Sequence, residues 1–205
     1  KIWGRKNSIN VQKVMWCVAE LGLKYERIDA GLEFGVVTEK YYRDLNPNGL
    51  VPVIKDKEIT VWESHAIIRY LCATYSVGDL WPTDPVIRSQ SDQWMDWLYT
   101  HFFLPHRVVF WGLIRTAEAD RDMDNIRAQV KAGGDCLMVL DSHLEGKSFI
   151  AGERLTIGDF PMGCMTHRWF AMDIERPILP NIESWLERLK ERPEFNQHVA
   201  KIPLS

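Results

Sequence analysis

The stretch that decides the fold runs from Asn46 to Ile67: Asn-Pro-Asn-Gly-Leu-Val-Pro-Val-Ile-Lys-Asp-Lys-Glu-Ile-Thr-Val-Trp-Glu-Ser-His-Ala-Ile. Asn46-Pro47-Asn48-Gly49 is a strong turn signal. Two β-rich runs follow, Val51–Ile54 and Ile59–Trp62, separated by charged Lys55-Asp56-Lys57-Glu58. This predicts an antiparallel hairpin with a four-residue loop. Pro52 is anomalous inside the first run because a proline cannot donate to a ladder. The strand is therefore expected at an edge, or with that position turned toward something other than a strand. The base preference of X-Pro bonds predicts a trans peptide there. A helix is expected from Ser64, carrying Ile67, Tyr70 and Leu71 on one side.

Upstream, Ile2 and Trp3 form a short strand candidate. Val11, Val14, Met15, Val18 and Leu21 then recur at helical spacing until Gly22. Tyr25 to Asp29 reads as a second strand completing a β-α-β unit, and a short helix is expected between Gly31 and Leu45. The order is β-α-β-α-β-β-α. Downstream, Gly78, Pro82 and Pro85 mark a linker, and the remainder is helical in period. A long helical stretch carrying Trp94, Trp97, Leu98, Val108, Trp111 and Leu113 is expected to break or bend near Pro105. Further helices are expected from about Asp124 to Leu144, where Gly133-Gly134 weakens the run, from Thr156, and through Ile182 to Leu189. The division is residues 1–77, a linker at 78–85, and an all-helical domain at 86–205.

Composition narrows the function. With 46% hydrophobic residues and a net charge of -3, the chain has the makings of a folded core and no basic patch for nucleic acid or an anionic membrane. Phe102 to Ile114, the most apolar long stretch, is interrupted by Pro105, His106 and Arg107 and is too short to cross a bilayer. The first residues lack an apolar signal core, so a cytoplasmic location is expected. Cys17, Cys72, Cys136 and Cys164 form no Cys-x-x-Cys pair and read as core residues, and the histidines lack metal-ligand spacing. Nine tryptophans imply either large helix interfaces or an aromatic cavity, with Trp111 and Trp169 the candidates for lining one.

Three segments could carry chemistry. In Asn7-Ser8-Ile9-Asn10-Val11, a hydroxyl or amide at the start of the first helix is either an ordinary N-cap or a donor to an anion brought by a ligand. Gly49-Leu50-Val51-Pro52 could present the Val51 backbone to an extended peptide. In Glu63-Ser64-His65-Ala66-Ile67, Ser64 is most simply a helix cap.

Together, Ser-x-Asn-Val, Asn-Pro-x-Gly-x-Val-Pro and Glu-Ser-x-Ala-Ile resemble the cytosolic glutathione transferases, in particular the serine-type, phi- or theta-like classes of plants and bacteria. Leu155-Thr156-Ile157-Gly158-Asp159 is similar to the Ser/Thr-x-x-Asp capping motif of that family's helical domain, with Gly158 where Ala is usual, which should weaken the helix start. The resemblance implies a thioredoxin-like N-terminal domain, an all-α C-terminal domain, a homodimer, and glutathione as co-substrate. By it, Ser8 would donate to the glutathione thiolate, with Asn10 its competitor. Val51, beside a cis Pro52, would pair with the cysteinyl unit, while Glu63 and Ser64 would hold the γ-glutamyl end. Leu50 stands where relatives often carry a contacting Gln, and Lys40 or Arg43 would have to supply the cation for the glycyl carboxylate. Cys17 lies too far inside the first helix to serve as a catalytic cysteine. Phe102, Phe110, Trp111 and Arg115 fall where the family binds its second substrate. The implied reaction joins the thiolate to an apolar electrophile. Isomerase, peroxidase or dehalogenase chemistry on the same site, or a non-catalytic binding role, are the alternatives.

Overall fold

The computed structural model describes residues 1–205. The N-terminal part runs β1 (Ile2–Trp3), α1 (Ile9–Glu20), β2 (Arg27–Ile28), α2 (Lys40–Leu45), β3 (Val53–Asp56), β4 (Ile59–Trp62) and α3 (Ser64–Tyr75). The sheet order is β2-β1-β3-β4, with β1 and β2 parallel and the other pairs antiparallel. This is the expected β-α-β-α-β-β-α order. Helices follow: α4 (Pro85–Trp97), α5 (Phe103–Phe110), α6 (Met123–Leu144), α7 (Asp159–Phe170) and α8 (Pro180–Lys190). No helix is long and apolar enough to cross a membrane.

Several local expectations are corrected. Lys55 and Asp56 pair with Thr60 and Ile59, so the hairpin turns on Lys57 and Glu58 alone instead of on four residues. β3 lies between β1 and β4, not at an edge. Pro52 sits one residue ahead of Val53, the first paired position, so its missing N–H costs the ladder nothing. The Val51–Pro52 peptide is cis, not trans. The break expected at Pro105 comes earlier, in a wide π-type turn at Leu98–Phe102, with a second at Trp111–Arg115. Pro105 therefore falls in the first turn of α5, where an absent N–H is tolerated. α7 starts at Asp159, not Thr156.

Two glycines expected to weaken helices instead permit close packing. A Cβ on Gly133 would lie 2.3 Å from the Trp169 ring, and one on Gly158 would lie 3.1 Å from the Ser91 backbone of α4. Trp169 is fully buried against Phe102, so it is not a cavity wall, and Cys136 is only half-buried.

The two parts share one apolar core. Trp16 of α1 stands edge-on to Phe160 of α7 and to Phe195, with ring centroids 4.8 Å apart in each case, and its indole N–H donates to Glu20. Glu20 also takes the Arg192 guanidinium at 2.6 Å. At the start of α7, buried Asp159 accepts from the backbone N–H groups of Ile150 and Thr156 (2.9 Å each), the Thr156 hydroxyl (3.2 Å) and the Trp185 indole (3.1 Å). Burial pushes its carboxyl up to about 6 against the pull of these donors.

Lys13, on α1, is completely buried, and burial brings its ammonium down to about 7. The unfolded chain keeps that proton to near pH 10.5, so unfolding takes up a proton between about pH 7 and 10, and stability rises with pH across that window. Urea titrations should show a higher midpoint at pH 9 than at pH 7, with Lys13→Met removing most of the gain. A variant with the wild-type slope would contradict this account. Asp159→Ala leaves several buried donors unpaired and should cost on the order of 3 kcal/mol by the same measurement. Asp124→Ala, which removes an exposed surface pair and a carboxylate from the first turn of α6, should cost no more than about 1 kcal/mol.

Candidate active site

A cavity of about 310 Å³ separates the N-terminal part from α5 and α7. A larger hollow of about 560 Å³, beside α6, contains none of the candidate residues. Ser8, Asn10, Leu50, Val51, Phe110, Trp111 and Arg115 all line the smaller cavity. Glu63 and Ser64 lie outside that lining, at the start of α3. Phe102 is fully buried behind α5, and Pro52 is buried beneath Val51.

Ser8 occupies the N-cap position of α1 with extended backbone, and its C=O accepts the first helical bond from Gln12 at 2.9 Å. Its hydroxyl makes no cap hydrogen bond, although the residue is only 7% exposed. The backbone thus follows the capping pattern while the Oγ remains available at the cavity wall. Asn10 is engaged differently. Its Oδ1 accepts from the Lys13 ammonium at 3.0 Å, which leaves the amide NH₂ as the free end. Lys13 also lies 3.4 Å from His65 Nε2 and 5.3 Å from the Tyr99 ring centroid.

The turn before β3 presents Val51. The Leu50 carbonyl is held by the Tyr42 hydroxyl at 2.7 Å and the Asn46 amide at 2.9 Å, and Asn46 Oδ1 also accepts from the Asn48 backbone. Neither the N–H nor the C=O of Val51 is paired within the chain. Val51 is half-buried on the cavity lining, so both groups are open to a partner that enters the cavity.

At the β4–α3 junction, Glu63 takes φ 69 and ψ 117, a conformation costly for any side-chain-bearing residue. It occupies the N-cap position that the sequence assigned to Ser64. Ser64 is the first helical residue, buried, with its Oγ 3.4 Å from the Tyr99 hydroxyl. The first intrahelical bond runs from Ile67 N–H to Glu63 C=O, so the amides of Ser64, His65 and Ala66 have no helical partner. This end of the helix can receive a carboxylate.

Lys40 is not brought to these residues. Its side chain is exposed and paired with Asp44 at 2.8 Å, one helical turn away. Arg43 donates to the Pro47 carbonyl at 2.8 Å and so supports the turn. Cys17 lies in the core with its Sγ 3.5 Å from Cys72 Sγ, and burial, followed by that neighbour, raises its thiol well above the usual range.

Sequence reasoning missed Arg5, Phe103, His106, Arg107 and Arg168, all of which face the cavity. Phe103, His106, Arg107, Phe110 and Trp111 fall at steps of i, i+3, i+4, i+7 and i+8, a helical stripe that was legible. Nothing in the sequence ties Arg168 to Asn7, whose carbonyl it contacts at 3.1 Å across 161 residues. His106 is held well below its usual range by burial and then by Arg168 and Lys13, so it is neutral at pH 7.

Known proteins resemble this chain in sequence and fold. The family model described as the glutathione S-transferase N-terminal domain matches residues 7–74, and that for the C-terminal domain matches residues 94–193. The chain is 37% identical to glutathione S-transferase GstB of Escherichia coli over all of its own length and 99% of the relative's. It is 28% identical to glutathione S-transferase 3 of Zea mays, over all of its own length and 95% of the relative's. A crystal structure of the theta-class glutathione S-transferase of Xanthomonas axonopodis pv. citri with glutathione bound is 42% identical. It superposes with a TM-score of 0.95 over 100% of this chain and 98% of the other. With both parts of its fold matched and its whole length covered, the chain belongs to the glutathione S-transferase family.

Proposed function

We propose that this protein binds glutathione along residues 1–77 and joins its sulfur to an electrophile with an apolar body held against the helical residues 86–205, with 78–85 as the linker. The observation that carries this reading is the uncommitted Ser8 hydroxyl at the start of α1, on the same cavity as the unpaired Val51 backbone. The cysteinyl unit of glutathione pairs with Val51, which sets its thiol toward Ser8. Glu63 takes the γ-glutamyl ammonium, while the Ser64 hydroxyl and the free amides of α3 take the adjacent carboxylate. Leu50 contributes apolar contact in place of a side-chain amide.

Serine here is a hydrogen-bond donor to the thiolate, not a nucleophile. The thiolate is the attacking species, and a group that binds the charged form lowers the thiol pKa. A fall of two units from ~8.5 requires about 2.7 kcal/mol. One hydrogen bond to a charged group supplies ~1.5–3 kcal/mol, and the positive end of α1 adds ~0.3–1 kcal/mol. Asn10 Nδ2, in the first turn of α1, is the second donor here. The electrophile lies against Phe103, Phe110 and Trp111, and positioning beside a preformed thiolate is the remaining catalytic term.

We further propose a cytoplasmic homodimer, in line with four free cysteines. Pairing of two copies would cover apolar side chains left exposed on edge strand β4, Ile59 and Trp62, and at the start of α4, Val86 and Ile87.

Thiolate absorbance of the enzyme–glutathione complex, followed against pH, tests the assignment. Ser8→Ala should raise the bound thiol's pKa by about one to two units and lower turnover at neutral pH by 10- to 100-fold. Asn10→Ala should do less. An unchanged pKa and rate in Ser8→Ala would remove Ser8 from the site, and a larger loss in Asn10→Ala would move the role there.

A further inference from the structure

The cavity is cationic to a degree that an apolar substrate does not require. Arg5 and Arg168 are only 9% and 6% exposed, Arg115 is half-buried, and Arg107 stands at the mouth. No carboxylate lines the cavity, and none of the four guanidinium groups is in an ion pair. Arg168 is fixed through Nη2 to the Asn7 carbonyl and Gln12 Oε1, both at 3.1 Å, and its guanidinium lies 4.6 Å from the Phe110 ring centroid. Arg115 lies 5.1 Å from the same ring and 4.8 Å from Trp111, and donates to the Ser205 backbone oxygen at 2.8 Å. Arg5 Nη1 and the Val51 side chain both flank the bare α-carbon of Gly31, so this guanidinium stands beside the residue that holds the cysteinyl unit.

Two of the polar atoms in this wall have no partner at all. Arg5 Nε and His106 Nε2 are buried and unbonded, on side chains more than nine-tenths buried. The guanidinium groups also disfavour one another. Arg168 is brought down to about 10 by burial first and then by repulsion from Arg115 and Arg5. Glu33 offsets part of the charge on Arg5 and Arg115 from outside the lining, but no carboxylate contacts any of the four guanidinium groups, and a desolvated cluster of this kind is costly for the chain to maintain unless an anion completes it. The γ-glutamyl carboxylate of glutathione is directed to α3, outside this cavity, and one thiolate at Ser8 together with one glycyl carboxylate, which neither Lys40 nor Arg43 is free to bind, still leaves an arginine unmatched among those on three separate elements.

We propose that the electrophile taken by this enzyme carries a carboxylate, which the Arg115, Arg168 and Arg5 guanidinium groups bind while its apolar body lies on Phe110 and Trp111. The proposal rests on the glutathione transferase reading and names the substrate class of that same site. Arginine suits this role because its planar fork meets a carboxylate with two parallel hydrogen bonds while its face rests on an aromatic ring. The bound carboxylate also fixes the reacting carbon relative to the thiolate. In a substitution, the sulfur forms the C–S bond at the carbon bearing the leaving group, and that group departs with the bonding electron pair as an anion. The carboxylate is unchanged and no further reactant is needed.

The test compares 4-chloro-3,5-dinitrobenzoate with its methyl ester at saturating glutathione, each kcat/KM divided by the rate constant of the uncatalysed reaction with glutathione. Chloride leaves in both cases, the ester replaces the charge with a methyl cap, and division by the uncatalysed rate constant removes the difference in ring activation. The carboxylate should be favoured by about 10- to 100-fold, the weight of one or more hydrogen bonds between charged groups. Arg115→Gln should cut that preference by about tenfold. An ester accelerated as well as the carboxylate overturns the proposal and leaves the transferase reading intact. So does an Arg115→Gln enzyme that keeps the preference and shows only a raised KM for glutathione, because the arginine then serves the peptide. No acceleration of either compound, together with an unshifted thiol pKa in the glutathione complex, overturns the transferase reading and the proposal with it.

Discussion

The site depends on one helix being buried on every side. From Val11 to Val18, every residue of α1 is buried, including Gln12 and Lys13. Helices buried all round are usually apolar throughout, and this one is not. Its inner face packs on α3, where Cys17 meets Cys72. Its outer face takes α7, with Trp16 wedged against Phe160 and Phe195. The polar positions are spent on links: Gln12 holds Arg168 of α7, and Lys13 holds Asn10 and approaches His65 of α3. Clamped in this way, α1 can move neither toward the sheet nor toward the helices, and its N-terminus is set at the boundary where two ligands would meet.

From that constraint the chemistry of the two walls follows. On the sheet side are groups that lack partners although their surroundings are rigid: the Ser8 hydroxyl, the Val51 backbone and the first amides of α3. Each is a donor or a donor–acceptor pair suited to an extended, anionic peptide. On the helical side, aromatic rings alternate with guanidinium groups, and neutral His106 sits among them. The positive potential favours a thiolate over a thiol and an anionic partner over a neutral one, so both walls act in the same direction on the sulfur.

The fold was largely legible because its signals are local. The turn at Asn46–Gly49, the hairpin runs and the apolar period of α1, α6 and α8 are each read within a dozen residues, and they recur in the structure. What failed was detail governed by neighbours far away in sequence. Whether Lys55 and Asp56 belong to loop or strand is decided by Thr60 and Ile59, and whether Pro52 marks an edge is decided by where β1 pairs. Ser8 is a mixed case: its position before a helix reads as a cap, the family resemblance alone points to a donor for a thiolate, and the three-dimensional arrangement adds a capping backbone with an unused hydroxyl. Lys40 looked available as a cation until its neighbour Asp44 took it. Arg5 and Arg168 gave no warning, since a lone arginine in sequence reads as a solvated side chain and their meeting depends on α7 crossing the β1–α1 loop.

In the proposed site, the unpaired backbone of Val51 and the free hydroxyl of Ser8 together hold the sulfur of glutathione. A crystal structure of this protein with glutathione addresses it most directly. The account predicts the sulfur within about 3.5 Å of Ser8 Oγ, the cysteinyl N–H and C=O paired with Val51, and the γ-glutamyl carboxylate at the first amides of α3. Glutathione bound with Val51 still unpaired, or with its sulfur turned away from Ser8 toward Asn10 or another group, would contradict it.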